Sequence, residues 1–181
     1  MKRPEYQIIS INETNIEEYG LLCQKSKKKE EGYQKKLEWI RERFKEGLKY
    51  HILLVEERGK LTSRGFIEYI PGEYCWRGID ATGYMVIHCI WVVGKIKGLG
   101  FGSMLLEKCI EDAKGMKGVA VVTAKTTWLP NSKLFVKHGF KKVDECPPSF
   151  ELLVKRFKGT ANYPKFTKVY EERRKQMSYK M

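Results

Sequence analysis

Apolar and polar positions recur along this chain with spacings that divide it into short elements. Tyr6–Ile11 alternates weakly and predicts a first strand. Asn12 or Thr14 supplies a cap for a following helix that carries Ile16, Tyr19 and Leu22. The charged stretch 25–32 predicts a turn or a helix end. From Tyr33 to Leu48, the residues Tyr33, Leu37, Ile40 and Phe44 recur at spacings of three and four, so they share one helix face, with Gly47 near its end. Three strands are expected next: Tyr50–Glu57, Gly65–Ile70 closed by the turn Pro71-Gly72, and Tyr84–Val93. The third is almost wholly apolar, which suits a strand buried on both faces in the middle of a sheet. It runs into a glycine cluster and then an amphipathic helix whose stripe is Leu105, Leu106, Cys109, Ile110 and Ala113. Val119–Thr123 is another buried-strand pattern, and Ser132–His138 is a short helix ending at Gly139. Phe140–Val143 and Phe150–Val154 close the series as a strand pair, with Pro147-Pro148 keeping their connection extended. Beyond Lys158 the chain turns polar, basic and poor in aliphatic residues, so residues 1–157 are expected to form the domain and 158–181 a tail or linker remnant. The sum is a mixed α/β domain: an antiparallel meander, a strand–helix–strand unit, a helix and a closing hairpin.

Composition narrows the picture. A chain of 181 residues makes one ordinary domain, large enough to bury a core without disulfides or a metal. No apolar run reaches the length of a membrane span, and no membrane partner is expected. The start, MKRPEYQIIS, is basic but lacks a long apolar stretch and a small-residue cleavage site, which points to a cytoplasmic protein. Cys23, Cys75, Cys89, Cys109 and Cys146 are widely spaced and form no CxxC pair, so reduced thiols are expected rather than a disulfide framework or a metal site. The formal charge of +13 favours an anionic partner. The cations are spread over KSKKK at 25–29, KIK at 95–97, KK at 141–142 and RRK at 173–175, with no nucleic-acid-binding motif beside them. A polyanionic cofactor needs only the cluster at 95–97; a nucleic acid is therefore not the expected partner. The sequence is compatible with a monomer or a homodimer.

The segment that carries chemistry is Ile90-Trp91-Val92-Val93-Gly94-Lys95-Ile96-Lys97-Gly98-Leu99-Gly100-Phe101-Gly102-Ser103. Glycine at every second position from 98 to 102 strips side chains from one turn and permits positive φ. A helix beginning near Gly102 aims its free N–H groups and dipole at the same place, which favours a phosphate or diphosphate. Lys97 and Lys95 add positive charge. The Walker ending is missing, and the dinucleotide fingerprint fails at Ser103, where glycine is required. A tight strand-to-helix turn without ligand is the competing account of the same residues.

The run from Lys97 to Gly102, followed by Ser103-Met104-Leu105-Leu106, resembles the acetyl-coenzyme A signature of GNAT acetyltransferases: Arg or Gln, two residues, Gly, one residue, then Gly or Ala. Lys97 replaces the usual Arg or Gln. The preceding apolar strand, the helix, Val119–Thr123 and the ending Phe135-Val136-Lys137-His138-Gly139-Phe140 fall in the family's order, so the likeness covers about residues 5–157. It is nearest to a subgroup in which a second C-terminal domain follows, here largely absent. The resemblance implies the GNAT fold, a central and mostly antiparallel sheet flanked by helices. It implies acetyl-CoA as co-substrate, no metal, and acetyl transfer to a primary amine of a small molecule or protein. It also implies that backbone groups of Trp91, Val92 and Val93 pair with pantetheine, the Val92 amide polarising the thioester carbonyl. Lys97 and the amides of Gly98, Leu99, Gly100, Phe101, Gly102 and Ser103 would hold the diphosphate.

Two departures bear on catalysis. Many members carry a glutamate six residues before the Val92 position, where this chain has Val86. His88, four residues before Val92 and on the same strand face, is the candidate base by resemblance to members with histidine there. The usual acid is a tyrosine where Phe135 stands; Phe135 keeps a packing role against the cofactor but has no hydroxyl. Tyr69, Tyr84, Cys75 and Cys89 remain open as substitutes. Asn131 is expected to cap the last helix, with a pantetheine contact as its family role. Tyr33, Trp39, Phe44, Tyr74 and Trp76 are candidates for an acceptor wall. A module that holds CoA without turnover is the alternative to an enzyme.

Overall fold

A computed structural model describes residues 4–23, 28–125, 129–147 and 149–167. Part of the expected turn at 25–32, Pro148 and the RRK cluster lie outside them. In chain order the elements are β1 (Tyr6–Ile11), α1 (Ile16–Tyr19), α2 (Glu31–Lys45), β2 (Lys49–Glu57), β3 (Lys60–Pro71), β4 (Ile79–Asp80), β5 (Tyr84–Val92), α3 (Phe101–Asp112), β6 (Gly118–Ala124), α4 (Ser132–Lys137), β7 (Lys141–Cys146), β8 (Phe150–Arg156) and β9 (Lys165–Phe166). This is the expected mixed α/β fold. Of the described pairings, β1–β2, β2–β3, β6–β8 and β7–β8 are antiparallel and β5–β6 is parallel. The chain forms two compact units, one of residues 1–69 with 89–108, the other of 70–88 with 109–181.

In the first unit β1, β2 and β3 form the antiparallel meander, with Tyr6 opposite Val55 and Tyr50 opposite Glu68. The β2–β3 turn is the pair Arg58-Gly59, both at positive φ, the backbone shape that matches the twist of two antiparallel strands. The face of α2 predicted by its spacing is buried through Tyr33, Leu37 and Ile40. The Tyr33 hydroxyl accepts the Leu21 N–H at 2.9 Å and the Tyr50 hydroxyl accepts the Leu22 N–H at 3.1 Å, so two core aromatics satisfy the backbone of a loop that has no ladder of its own. Burial first, and the Glu68 charge second, push the Tyr50 hydroxyl well above its ordinary pKa, so it stays neutral.

In the second unit β6 is buried at every position, as an apolar strand covered on both faces must be. It pairs with β5 from Tyr84↔Gly118 to Ile87↔Val121 and with β8 along its whole length. One face packs Tyr84, Val86, Ala120, Val122, Leu152 and Val154 together with Phe166. Within 158–181, the stretch expected from composition to be a tail or linker remnant, the described residues 158–167 include a strand of this unit. The β9 strand pairs with β4, the Phe166 N–H donates to the Asp144 carboxylate at 2.8 Å and the Thr167 N–H to the Gly78 carbonyl at 2.9 Å. Burying Phe166 contributes about 2 kcal/mol, and it acts together with the β4–β9 pairing and these hydrogen bonds to hold the segment against the core.

Candidate functional site

The glycine segment is built as a bent approach to a helix. After β5, Gly94 at φ 77° starts a single 3-10 turn through Ile96, whose side chain is buried and anchors the bend. Gly98 and Gly100 both take the left-handed conformation, at φ 86° and 87°. A side chain there would be strained, so the glycines are required by the path of the backbone. Lys97 N–H and Leu99 N–H close local turns onto the Gly94 and Ile96 carbonyls, each at 3.3 Å. The Gly100 carbonyl accepts the Met104 N–H at 3.2 Å, which makes Gly100 the cap and starts α3 at Phe101. Among the described residues the amides of Gly98, Gly100 and Gly102 have no acceptor. Phe101 turns its ring into the core against Tyr6, with ring centroids 5.5 Å apart, so the backbone is what it presents to the turn. Lys95 and Lys97 are exposed. A cleft of about 1000 Å³ in this unit is lined in part by Arg64, Gly94, Lys95, Ile96 and Leu99.

The end of β5 divides its backbone between two edges. The Val93 N–H donates to the Arg64 carbonyl of β3 at 2.8 Å. The Trp91 carbonyl faces the same way: a Cβ on Gly65 would lie 2.8 Å from it. By strand alternation Val92 points its N–H and carbonyl to the opposite edge. Of the three strand residues expected beside pantetheine, Val92 is thus the one whose backbone turns away from β3.

His88, the expected base, is 2% exposed and neither ring nitrogen has a hydrogen-bond partner among the described residues. The ring stacks on Trp76, with centroids 3.6 Å apart and planes at 19°. Burial, helped by the positive Arg77, pulls its pKa down to about 2, so the ring is neutral at ordinary pH. Arg77 also donates to the His88 carbonyl at 2.9 Å. Phe135 is fully buried edge-on to Phe140. Asn131 caps α4, its side-chain oxygen accepting the Lys133 N–H at 2.8 Å. Of the named acid substitutes, Tyr84 donates to the Asn162 carbonyl at 2.8 Å, and Tyr69 meets His51 Nε2 at 2.7 Å. Burial raises the Cys75 thiol to about 11, so it stays protonated. Among the described residues no group of His, Cys, Asp and Glu has the arrangement to hold a metal.

Comparison with known proteins places the chain in a family. The family model described as Acetyltransferase (GNAT) family matches residues 12–140. The chain belongs to the GNAT acetyltransferase family. It is 37% identical over 163 residues to the uncharacterized N-acetyltransferase YoaP of Bacillus subtilis strain 168, covering 87% of this chain and 62% of that protein. Among solved structures, an acetyltransferase from Thermus thermophilus matches with a TM-score of 0.60 at 14% identity, over 87% of this chain and 100% of that one. The N-acetyltransferase PseH of Campylobacter jejuni, solved with acetyl coenzyme A, matches with a TM-score of 0.54 at 15% identity, over 85% and 100% of the two chains. At such identities these structures speak for the fold.

Against the GNAT pattern, the core positions held by Val86 and Phe135 carry no ionisable group. Of the aromatics expected at an acceptor wall, Tyr33 is core, whereas Tyr74 and Trp76 are exposed. Two residues escaped sequence reasoning. Arg77 sits in a loop without periodicity, and nothing in the sequence ties it to His88. Glu68 is a buried carboxylate on β3, 3.9 Å from the Lys36 ammonium; a charge inside the apolar run Phe66-Ile67-Glu68-Tyr69-Ile70 was its available signal.

Proposed function

We propose that this protein transfers the acetyl group of acetyl-CoA to a primary amine of a small molecule or protein. The observation that carries this reading is the set of unengaged amides at Gly98, Gly100 and Gly102 on one bend at the start of α3. Three N–H groups, a helix N-terminus and the nearby Lys95 and Lys97 suit a diphosphate. The outward backbone of Val92 supports a role beside pantetheine, its N–H donating to the thioester carbonyl as that oxygen gains charge.

The chemistry needs a free amine, because an ammonium has no lone pair. The amine nitrogen attacks the thioester carbon, the C–S bond breaks and the CoA thiolate departs while the nitrogen loses its proton. His88 is the group assigned to take that proton. An unpaired acceptor nitrogen supports the role, while the burial that holds its pKa at about 2 makes the ring a weak base until its surroundings change.

The test is a panel of amines with acetyl-CoA, read by thiol release. Turnover with at least one amine, reduced tenfold or more in His88→Gln, is the expected outcome. A second reading is favoured by Val86, Phe135 and the deep burial of His88: a module that binds CoA without turning it over. Tight calorimetric binding with no thiol release on any amine selects that reading.

A further inference from the structure

We propose that Trp76 is a side-chain lid over His88, filling the place where a flat, apolar part of the acceptor lies and turning aside to admit it. The proposal rests on the reading of His88 as the group that meets the amine. Buried polar atoms are almost always paired, yet both ring nitrogens of His88 are buried and have no partner among the described residues. An imidazole in that state marks a place whose partner is not supplied by the chain's own packing. Trp76 covers it face to face at 3.6 Å, a contact that leaves no room for an atom between the rings. The same indole is 42% exposed, so it seals the imidazole from outside rather than forming part of a closed core.

The backbone around the indole is fixed. Gly72 lies so close to the Ala81 carbonyl that a Cβ would sit 2.0 Å from its oxygen. The Ile79 N–H bonds the Arg77 carbonyl at 2.7 Å, and the Arg77 guanidinium bonds the His88 carbonyl at 2.9 Å. The Cys75 sulfur accepts the Arg77 N–H at 3.3 Å. With the loop pinned on both sides of Trp76, opening is a rotamer change of the indole rather than a movement of the segment. The space it vacates has the thickness of one aromatic ring and the imidazole as its floor. Of the ionisable groups of that loop, Glu73, Tyr74, Cys75 and Arg77, the Arg77 guanidinium is the charge that acts on His88, while the Glu73 carboxylate accepts the Gly83 N–H at 2.8 Å. The Arg77 charge opposes a second positive charge there, so the place suits a flat group without positive charge beside the reacting nitrogen.

Carbethoxylation of histidine by diethyl pyrocarbonate, mapped by mass spectrometry, reads access to the ring. His88 is expected to react at least tenfold faster in Trp76→Ala than in the wild type, with Trp76→Phe close to the wild type. Millimolar indole added to Trp76→Ala is expected to restore protection. In the wild type, ¹⁵N relaxation dispersion at the Trp76 indole N–H is expected to show exchange on the microsecond-to-millisecond scale. Equal His88 reactivity in the wild type and Trp76→Ala, or an indole N–H without exchange in the wild type, overturns the lid. No readout here depends on turnover. A protein that acetylates no amine therefore removes the activity proposed above while leaving the lid measurements readable.

Discussion

His88 and Asn131 are the two side chains whose local chemistry makes measurable claims. His88 has its pKa lowered from 6.5 to about 2 by burial, with Arg77 adding to the effect. Below pH 6.5 the unfolded chain binds a proton at this ring that the folded chain refuses, so stability falls as the pH drops from 6.5 toward 2. One proton corresponds to about 1.4 kcal/mol per pH unit. Urea unfolding of His88→Gln at pH 4 to 6 is expected to show a stability slope shallower than the wild type by that amount. Asn131 satisfies the Lys133 N–H at the start of α4. Asn131→Ala is expected to lower stability by about 1 kcal/mol, the usual cost of losing a cap. It should leave the KM for acetyl-CoA within a factor of two; a tenfold rise would assign the side chain to the cofactor instead. The cap was readable in advance because Asn precedes a short apolar helix. The state of His88 was not, because its burial under Trp76 depends on a loop contact that no spacing encodes.

Among the elements, α3 and the bend before it make the strongest claim. Gly100 holds φ at 87°, where a β-branched residue is strained and its side chain would cover the approach to the amides. Gly100→Val is expected to weaken CoA binding at least tenfold by calorimetry, with the far-ultraviolet circular dichroism unchanged. The elements that bury both faces or one stripe were legible: the apolar runs of β5 and β6, and Leu105, Leu106 and Cys109 on α3. Those with little apolar content were not. The outer half of β3, from Lys60 to Arg64, is polar and is held by pairing with β2 through the Arg58-Gly59 turn rather than by burial. The two-residue strands β4 and β9 are too short to show any period, and each exists because the other is opposite it. Within the site, the glycines announced the bend, but the division of Trp91, Val92 and Val93 between two backbone edges follows from the neighbouring strand.

At the scale of the molecule, each compact unit is assembled from two separated stretches of chain, and the three boundaries between stretches fall within β3, β5 and α3. The second unit closes its core with Phe166, 7% exposed, from a stretch whose composition reads as a tail. Phe166→Ala is expected to lower the stability measured in urea by about 3 kcal/mol. A loss below about 0.5 kcal/mol, the range of an ordinary surface substitution, would mean that the β4–β9 pair merely rests on the core. With a formal charge of +13, long-range attraction to an anionic ligand should weaken as salt rises.

The pairing of Ile79 with Phe166 also fixes an order of events during synthesis. Chains are made from the N-terminus, and a nascent segment whose partner has not yet been translated must wait with its apolar side uncovered. Ile79 and its neighbours in that cluster stay unsealed on the ribosome until Phe166, 87 residues later, has emerged. A translation product that stalls before Pro164 presents an open hydrophobic face, the kind of surface that chaperones hold and that aggregation exploits.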